Sequence, residues 1–173
     1  KVRLSASLMD GKTLKFSGVI NVQNIKNPIA VAQELMVEDD RVLGAEGALD
    51  YARKMGHDYF DPILPQRQKE YEEKLKSNGQ GTVGCVALDS EGNIAAATST
   101  GGKGFEIPGR VSDSATVAGN FANENVGISC TGVGEDIVSV GLATRIATRV
   151  DDGYSLEDAC IKSFRELAKI DGF

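Results

Sequence analysis

The chain has no tryptophan, a single histidine, three cysteines and four prolines among its 173 residues. One histidine, His57, leaves little from which to build a histidine-based triad or metal site. Cys85, Cys130 and Cys160 are odd in number and far apart, which argues against a disulfide framework or zinc site and favours a reducing compartment. All three read as small buried hydrophobes. No apolar run approaches membrane-spanning length, and no opening segment resembles a signal peptide. A cytoplasmic protein without a membrane partner is therefore expected. The 19 basic residues are outnumbered by 25 acidic ones, giving a net charge of −6. No Lys/Arg block is dense enough to track phosphates, which argues against nucleic acid as a partner.

What is present is an ordinary globular composition, 41% hydrophobic and 25% charged, with 20 glycines. The length suits a single domain with a substantial core. The chain opens at Lys1 and closes on Ile170-Asp171-Gly172-Phe173, where a helix would hand over to another strand. A chain trimmed at both ends is the expectation. Leu4–Met9 and Leu14–Val22 flank an Asp10-Gly11-Lys12 turn and read as a hairpin. Asn27-Pro28 is a helix start, with the cap before a first-turn proline. A second helix is expected over Glu46–Met55, stopped by Gly56. A charged helix follows from Pro65, ending in the polar segment Ser77–Gly81, which reads as a linker or a processing site. Arg41–Ala45 is too short to assign.

The densest signal lies in Gly81–Gly102, GTVGCVALDSEGNIAAATSTGG. Residues 82–89 and 93–100 are strand-like, and Ser90-Glu91-Gly92 makes a three-residue turn with Gly92 in the left-handed position. Pairing Asp89 with Asn93 sets Thr82 opposite Thr100. Two hydroxyls then meet on one face at the open end of a buried hairpin. Its strands are apolar on both faces, which predicts a sheet covered on both sides within a layered fold. Beyond it come the loop Gly101–Ser114, a weak strand near Thr116–Ala118, a turn at Asn120–Asn125 and a strand over Val126–Thr131. A helix is then predicted over Glu135–Arg149, and a last one capped by Ser155, with Asp158 three positions on.

Three places carry chemistry. A threonine hydroxyl is a weak nucleophile unless a base takes its proton; cutting the preceding peptide bond frees the threonine's own amine, which titrates near ~8. Gly81 before Thr82 suits attack on its carbonyl and a strained backbone, and Thr100 opposite can hold the amine or hydroxyl. Both threonines are also ordinary strand residues. In Gly109–Asp113, Arg110 can fork onto a carboxylate and Asp113 can accept from an ammonium, a pair suited to an α-amino acid head group. Their spacing alone favours an exposed local ion pair. Cys130-Thr131-Gly132-Val133-Gly134-Glu135 runs strand, glycine turn, helix, whose backbone N–H groups suit a developing oxyanion. It also resembles a phosphate loop, without the lysine or the glycine spacing.

In order, GTVG, ATSTGG, PGRVSDS and CTGVGE closely resemble the plant-type asparaginase/isoaspartyl peptidase family of N-terminal-nucleophile hydrolases. The match is dense over residues 82–135 and looser upstream through SLMDGKTLK, NIKNPI and RVLGAEGA. The resemblance implies an α+β fold, a four-layer αββα sandwich in which one domain is cut into an α part, residues 1–81, and a β part, residues 82–173. It implies cleavage between Gly81 and Thr82, Thr82 as nucleophile and Thr100 as its support. It assigns Arg110 to the substrate α-carboxylate, Asp113 to its α-amino group, Thr131 and Gly132 to the oxyanion hole, and Gly134 to a further substrate contact.

The implied substrates are L-asparagine and β-aspartyl dipeptides, and the implied assembly is a dimer of αβ units. No cofactor is implied beyond a structural sodium or potassium ion, whose ligands do not lie in this chain. The family's early His-Gly-Gly-Ala-Gly strand, its Asn-Ala-Gly loop and the closing strands after Phe173 have no counterpart here. Two other functions stand beside this one: a glycosylasparaginase-like amidase, which usually carries Asn-Gly where this chain has Gly101-Gly102, and an unprocessed binding module of the same fold.

Overall fold

The computed structural model describes residues 2–63, 81–104 and 106–168. The helix expected from Pro65 and the 77–80 segment lie outside the described residues. Strands β1 (Leu4–Asp10) and β2 (Lys15–Val22) form the predicted antiparallel hairpin. Asp10 closes its turn by accepting from the Lys12 amide and the Thr13 hydroxyl. These bonds favour the charged carboxylate, and with the Thr13 hydroxyl foremost they hold its pKa below the usual value. The first helix, α1 (Pro28–Leu35), starts where its sequence placed it: Asn27 accepts from the Ala30 amide, and Pro28, with no N–H to satisfy, opens the first turn. The unassigned segment is a short strand, β3 (Val42–Gly44), parallel to β2, and α2 (Ala45–Lys54) follows.

Strands β4 (Thr82–Leu88) and β5 (Ile94–Thr100) form the central hairpin with the predicted register, Thr82 opposite Thr100 and Leu88 opposite Ile94. Its turn is locked by Asp89, whose carboxylate accepts from the amides of Glu91 and Asn93, both at 2.8 Å, and from the Asn93 side chain at 2.7 Å. Gly92 takes the left-handed conformation there, φ 86°. Strand β5 pairs with β1, giving a five-stranded sheet of order β3-β2-β1-β5-β4. Strand β4 is thus an edge. The hairpin is not buried on both faces as expected: Val83 is 74% and Leu88 70% exposed, and Cys85 is exposed rather than buried. Alternating apolar residues define which positions could be covered, while the neighbouring elements decide which are.

A second, two-stranded sheet of β6 (Asn120–Ala122) and β7 (Gly127–Ser129) packs against β1, β5 and β4. Strand β6 falls where a turn was expected, and the residues expected as a strand, 116–118, form a bend and a turn after a short 3₁₀ helix at Asp113–Ala115. The reason is Asn120. Its side chain is fully buried, donates to the Ala96 carbonyl and accepts from the Thr98 hydroxyl, so β5 satisfies the polar groups that would otherwise favour a turn. The long predicted helix is two: α3 (Gly134–Val140) and α4 (Leu142–Asp151). Gly141 between them is left-handed, φ 60°, and ends α3. The last helix, α5 (Leu156–Leu167), is capped by Ser155, which accepts from the Asp158 amide as predicted.

The described residues therefore form a mixed α and β structure with two sheets. Helices α1 and α2 pack on the five-stranded sheet over Ala6, Val19, Val22, Val31 and Leu35. Ile137, Leu142, Ile146 and Leu167 of α3–α5 form a separate core with Cys130 beside the two-stranded sheet. Between the sheets the apolar contacts of Met9, Ala96 and Ala122 give way toward one end to Ser5, Ser7, Thr98 and Thr100, all buried. That polar end is where the candidate site sits. Among the described residues no helix is long and apolar enough to cross a membrane.

Candidate active site

At the open end of the β4–β5 hairpin the two threonine hydroxyls form a chain of hydrogen bonds with the peptide before them. Thr82 Oγ donates to Thr100 Oγ at 3.3 Å, and Thr100 Oγ donates to the Gly81 carbonyl oxygen at 3.2 Å. The Gly102 amide donates to Thr100 Oγ at 3.1 Å, fixing that hydroxyl from behind. Thr100 is only 7% exposed, so its hydroxyl is aimed rather than free. The register of the hairpin produces this contact, because opposed residues on a ladder bring their side chains together on one face. Among the described residues a Cβ at Gly81 would meet nothing within 4 Å, and the Gly81 carbonyl is held by the Thr100 hydroxyl.

A cleft beside Thr82 is lined by Thr100, Gly102, Arg110, Asp113, Gly132 and Gly134, joined by Lys103, Ser112 and Ser114. The hairpin, the Gly–Arg loop and the glycine turn before α3 thus converge, as their separate chemistries required. Thr131 stands apart: it borders a neighbouring cleft between β4 and β7, which also reaches Thr82.

Arg110 and Asp113 do not form the local ion pair that their spacing favoured. Arg110 donates through Nε and Nη2 to both oxygens of Glu135, at 2.6 and 3.0 Å, and through Nη1 to Glu106 at 3.0 Å. Asp113 is 5% exposed, and its Oδ2 has no hydrogen-bond partner among the described residues. Burial pushes the Asp113 carboxyl above its usual pKa, opposed by its own backbone amide and by the charge of Arg110. Glu135 moves the other way, to about 2, because Arg110 and then Lys103 bond its charged form. The Glu135 ion pair is therefore intact above the ordinary carboxylate range and is lost only as pH falls toward about 2.

Both charges close on Gly134: a Cβ on it would stand 2.7 Å from Asp113 Oδ1, forcing a shift, and 3.0 Å from Arg110 Nη2, which would have to give way by a few tenths of an ångström. Two anchors were not visible in the sequence reading. Ser7, wholly buried in β1, donates to the Ser114 carbonyl at 2.7 Å and ties down the loop that carries Asp113. Asn21, left-handed at φ 55°, donates from Nδ2 to the Arg110 carbonyl at 2.9 Å. An asparagine with that conformation beside a strand end was the one available signal.

The buried carboxylate makes a stability prediction. A carboxyl whose folded pKa is raised contributes favourably below its unfolded value and costs stability once pH rises through the folded one. Asp113→Asn is therefore expected to raise the melting temperature at pH 7, read by calorimetry.

The comparisons with known proteins accord with this geometry. The family model described as asparaginase matches residues 1–172. The chain belongs to the asparaginase family. An isoaspartyl peptidase/L-asparaginase from Synechocystis sp. is 48% identical over 184 residues, covering 96% of this chain and 56% of that protein. A plant-type L-asparaginase from Pyrococcus furiosus is 37% identical over 196 residues, covering 99% and 64%. An isoaspartyl peptidase from Escherichia coli is 38% identical over 179 residues, covering 91% and 56%. The chain spans little more than half the length of the first of these relatives. Among the described residues no group of three His, Cys, Asp or Glu side chains is placed to hold a metal ion.

Proposed function

We propose that the protein is a self-cleaving amidohydrolase that releases aspartate from L-asparagine and from β-aspartyl dipeptides, with Thr82 as nucleophile. The observation that carries this reading is the hydrogen-bond chain from Thr82 through Thr100 to the Gly81 carbonyl, set beside the Arg110–Asp113 cleft. The printed names of the relatives, isoaspartyl peptidase and L-asparaginase, support the substrate class.

In the uncut chain Thr82 Oγ attacks the carbonyl carbon of Gly81. A C–O bond forms as the C–N bond breaks, the hydroxyl proton passes to the departing nitrogen, and water hydrolyses the resulting ester. Thr100 polarises that carbonyl by donating to it and accepts from the attacking hydroxyl. Thr82 is then a chain start whose amine, titrating near ~8, serves as base. In hydrolysis Thr82 Oγ attacks the side-chain carbonyl carbon of the substrate. The amine takes the hydroxyl proton and passes it to the leaving ammonia or amino acid. Thr131 and Gly132 stabilise the oxyanion, and water releases aspartate from the acyl-enzyme. Arg110 binds the α-carboxylate, Asp113 the α-ammonium, and Gly134 lets both approach.

The finer architecture belongs to the same proposal. Helices α1 and α2 outside one sheet and α4 outside the other support a four-layer αββα sandwich. A cytoplasmic dimer of αβ units is proposed with it, and the sodium or potassium ion of the family is assigned to no residue here.

The test is kcat/KM on cleaved protein for asparagine, a β-aspartyl dipeptide and a glycosylated asparagine. The first two should be turned over, with kcat/KM rising as pH climbs toward the ~8 of the amine. Turnover of the glycosylated substrate alone would move the protein to the glycosylasparaginase reading, and a chain that is only ever found uncut would favour an unprocessed module.

A further inference from the structure

Arg110 and Asp113 carry opposite charges and frame the same glycine, with Nη2 and Oδ1 each within 3.0 Å of the point where a Gly134 Cβ would stand. Opposite charges this close attract strongly in a partly buried site. Asp113 Oδ2 is nevertheless buried without a hydrogen-bond partner among the described residues, and Arg110 is turned onto Glu135 and Glu106. The geometry explains why the pair does not close. The Glu135 carboxylate takes the Nε–Nη2 edge of the guanidinium with both oxygens, and Lys103 Nζ holds the same carboxylate at 3.1 Å. Of the five N–H donors of Arg110, Glu135 and Glu106 engage three, leaving one on each terminal nitrogen.

We propose that Glu135 is a positioning residue that holds Arg110 off Asp113, keeping the anion receptor and the cation receptor of the cleft separately available to a zwitterionic amino acid head group. The proposal rests on the functional reading above for the identity of that head group. Charge supports it as well as distance. Glu106 and Glu135 offset Arg110 and Lys103, so the remaining charge of the cleft is that of Asp113, which an incoming ammonium neutralises. Without Glu135 the guanidinium is free to swing onto Asp113, and a ligand must then break an internal ion pair before it binds.

The experiment compares wild type, Glu135→Gln and Glu135→Asp in the full protein. It measures L-aspartate binding by calorimetry, KM and kcat for asparagine, and the rate of cleavage before Thr82. Glu135→Gln, which keeps shape and loses charge, should weaken aspartate binding and raise KM ~10-fold or more, as expected for loss of a charge-assisted pair. Its kcat and its cleavage rate should stay near wild type, since neither Thr82 nor Thr100 touches Glu135. Glu135→Asp, which keeps the charge, should recover part of the affinity. Unchanged aspartate binding in Glu135→Gln overturns the proposal. So does a parallel fall in binding, kcat and cleavage, which would mark a merely structural role, and so does a wild-type protein that binds no aspartate. A wild type that binds aspartate but hydrolyses neither substrate defeats the functional reading and leaves the positioning role to be judged from the binding data.

Discussion

Thr82→Ala is expected to remain a single uncut chain and to lose hydrolysis of asparagine by a factor on the order of 10⁴ or more, as when a nucleophile is removed from a catalytic unit that works together. Two losses come from one atom. In the proposed mechanism the hydroxyl attacks the Gly81 carbonyl, and after cleavage the same hydroxyl attacks the substrate. Thr82 lies at an edge-strand end with partial exposure, and among the described residues its hydroxyl has only Thr100 as a side-chain partner, so the fold should survive its removal. Thr82→Ser keeps the hydroxyl and should still be cut, more slowly because the β-branch no longer fixes χ1. Gel electrophoresis and an ammonia-release assay read both outcomes. An uncut Thr82→Ala protein that still hydrolyses substrate would remove Thr82 from the mechanism.

The second large effect is expected at Thr100. Thr100→Val preserves size and strand preference but removes the donor to the Gly81 carbonyl and the acceptor for Thr82 Oγ. Self-cleavage should slow by roughly 10³-fold, the scale of losing a preorganised donor at a developing oxyanion together with the partner that orients the nucleophile. Hydrolysis by whatever fraction does become cut should fall less, since the free amine is then the base. The time course of band conversion against activity per cut chain separates the two. Equal slowing of both steps would mean that Thr100 supports the strand and not the reaction. Thr98, two residues back, offers a control of position: its hydroxyl is spent on Asn120 and Ser129, away from Thr82.

Local chemistry made much of this legible in advance. The Asp89–Asn93 turn carries its own hydrogen bonds, so the strand register, and with it the Thr82–Thr100 contact, follows from residues within one hairpin. The caps at Asn27 and Ser155 are equally local. What escaped was set by distant partners. Arg110 and Asp113 are neighbours in sequence, and nothing within the loop reveals that Glu135, 25 residues on, takes the guanidinium. Ser7 reaches Ser114 across 107 residues, and Asn21 reaches Arg110 across 89. Asn120 reads as a turn residue until β5 is there to satisfy its side chain. The exposure of β4 has the same origin, since an apolar pattern says what can be buried and the packing partners decide what is, whereas the break at Gly141 is local, set by its left-handed backbone. The cleft was foreseeable as a set of residues, and its electrostatics were not.

The central claim is that the nucleophile comes into being when the bond before it is cut. Mass spectrometry of the purified protein after incubation, with N-terminal sequencing of the pieces, tests it most directly. The prediction is two pieces that grow together with hydrolytic activity, the second beginning Thr82-Val83-Gly84-Cys85. Activity from a chain that stays whole, or from one cut anywhere other than before Thr82, would contradict it.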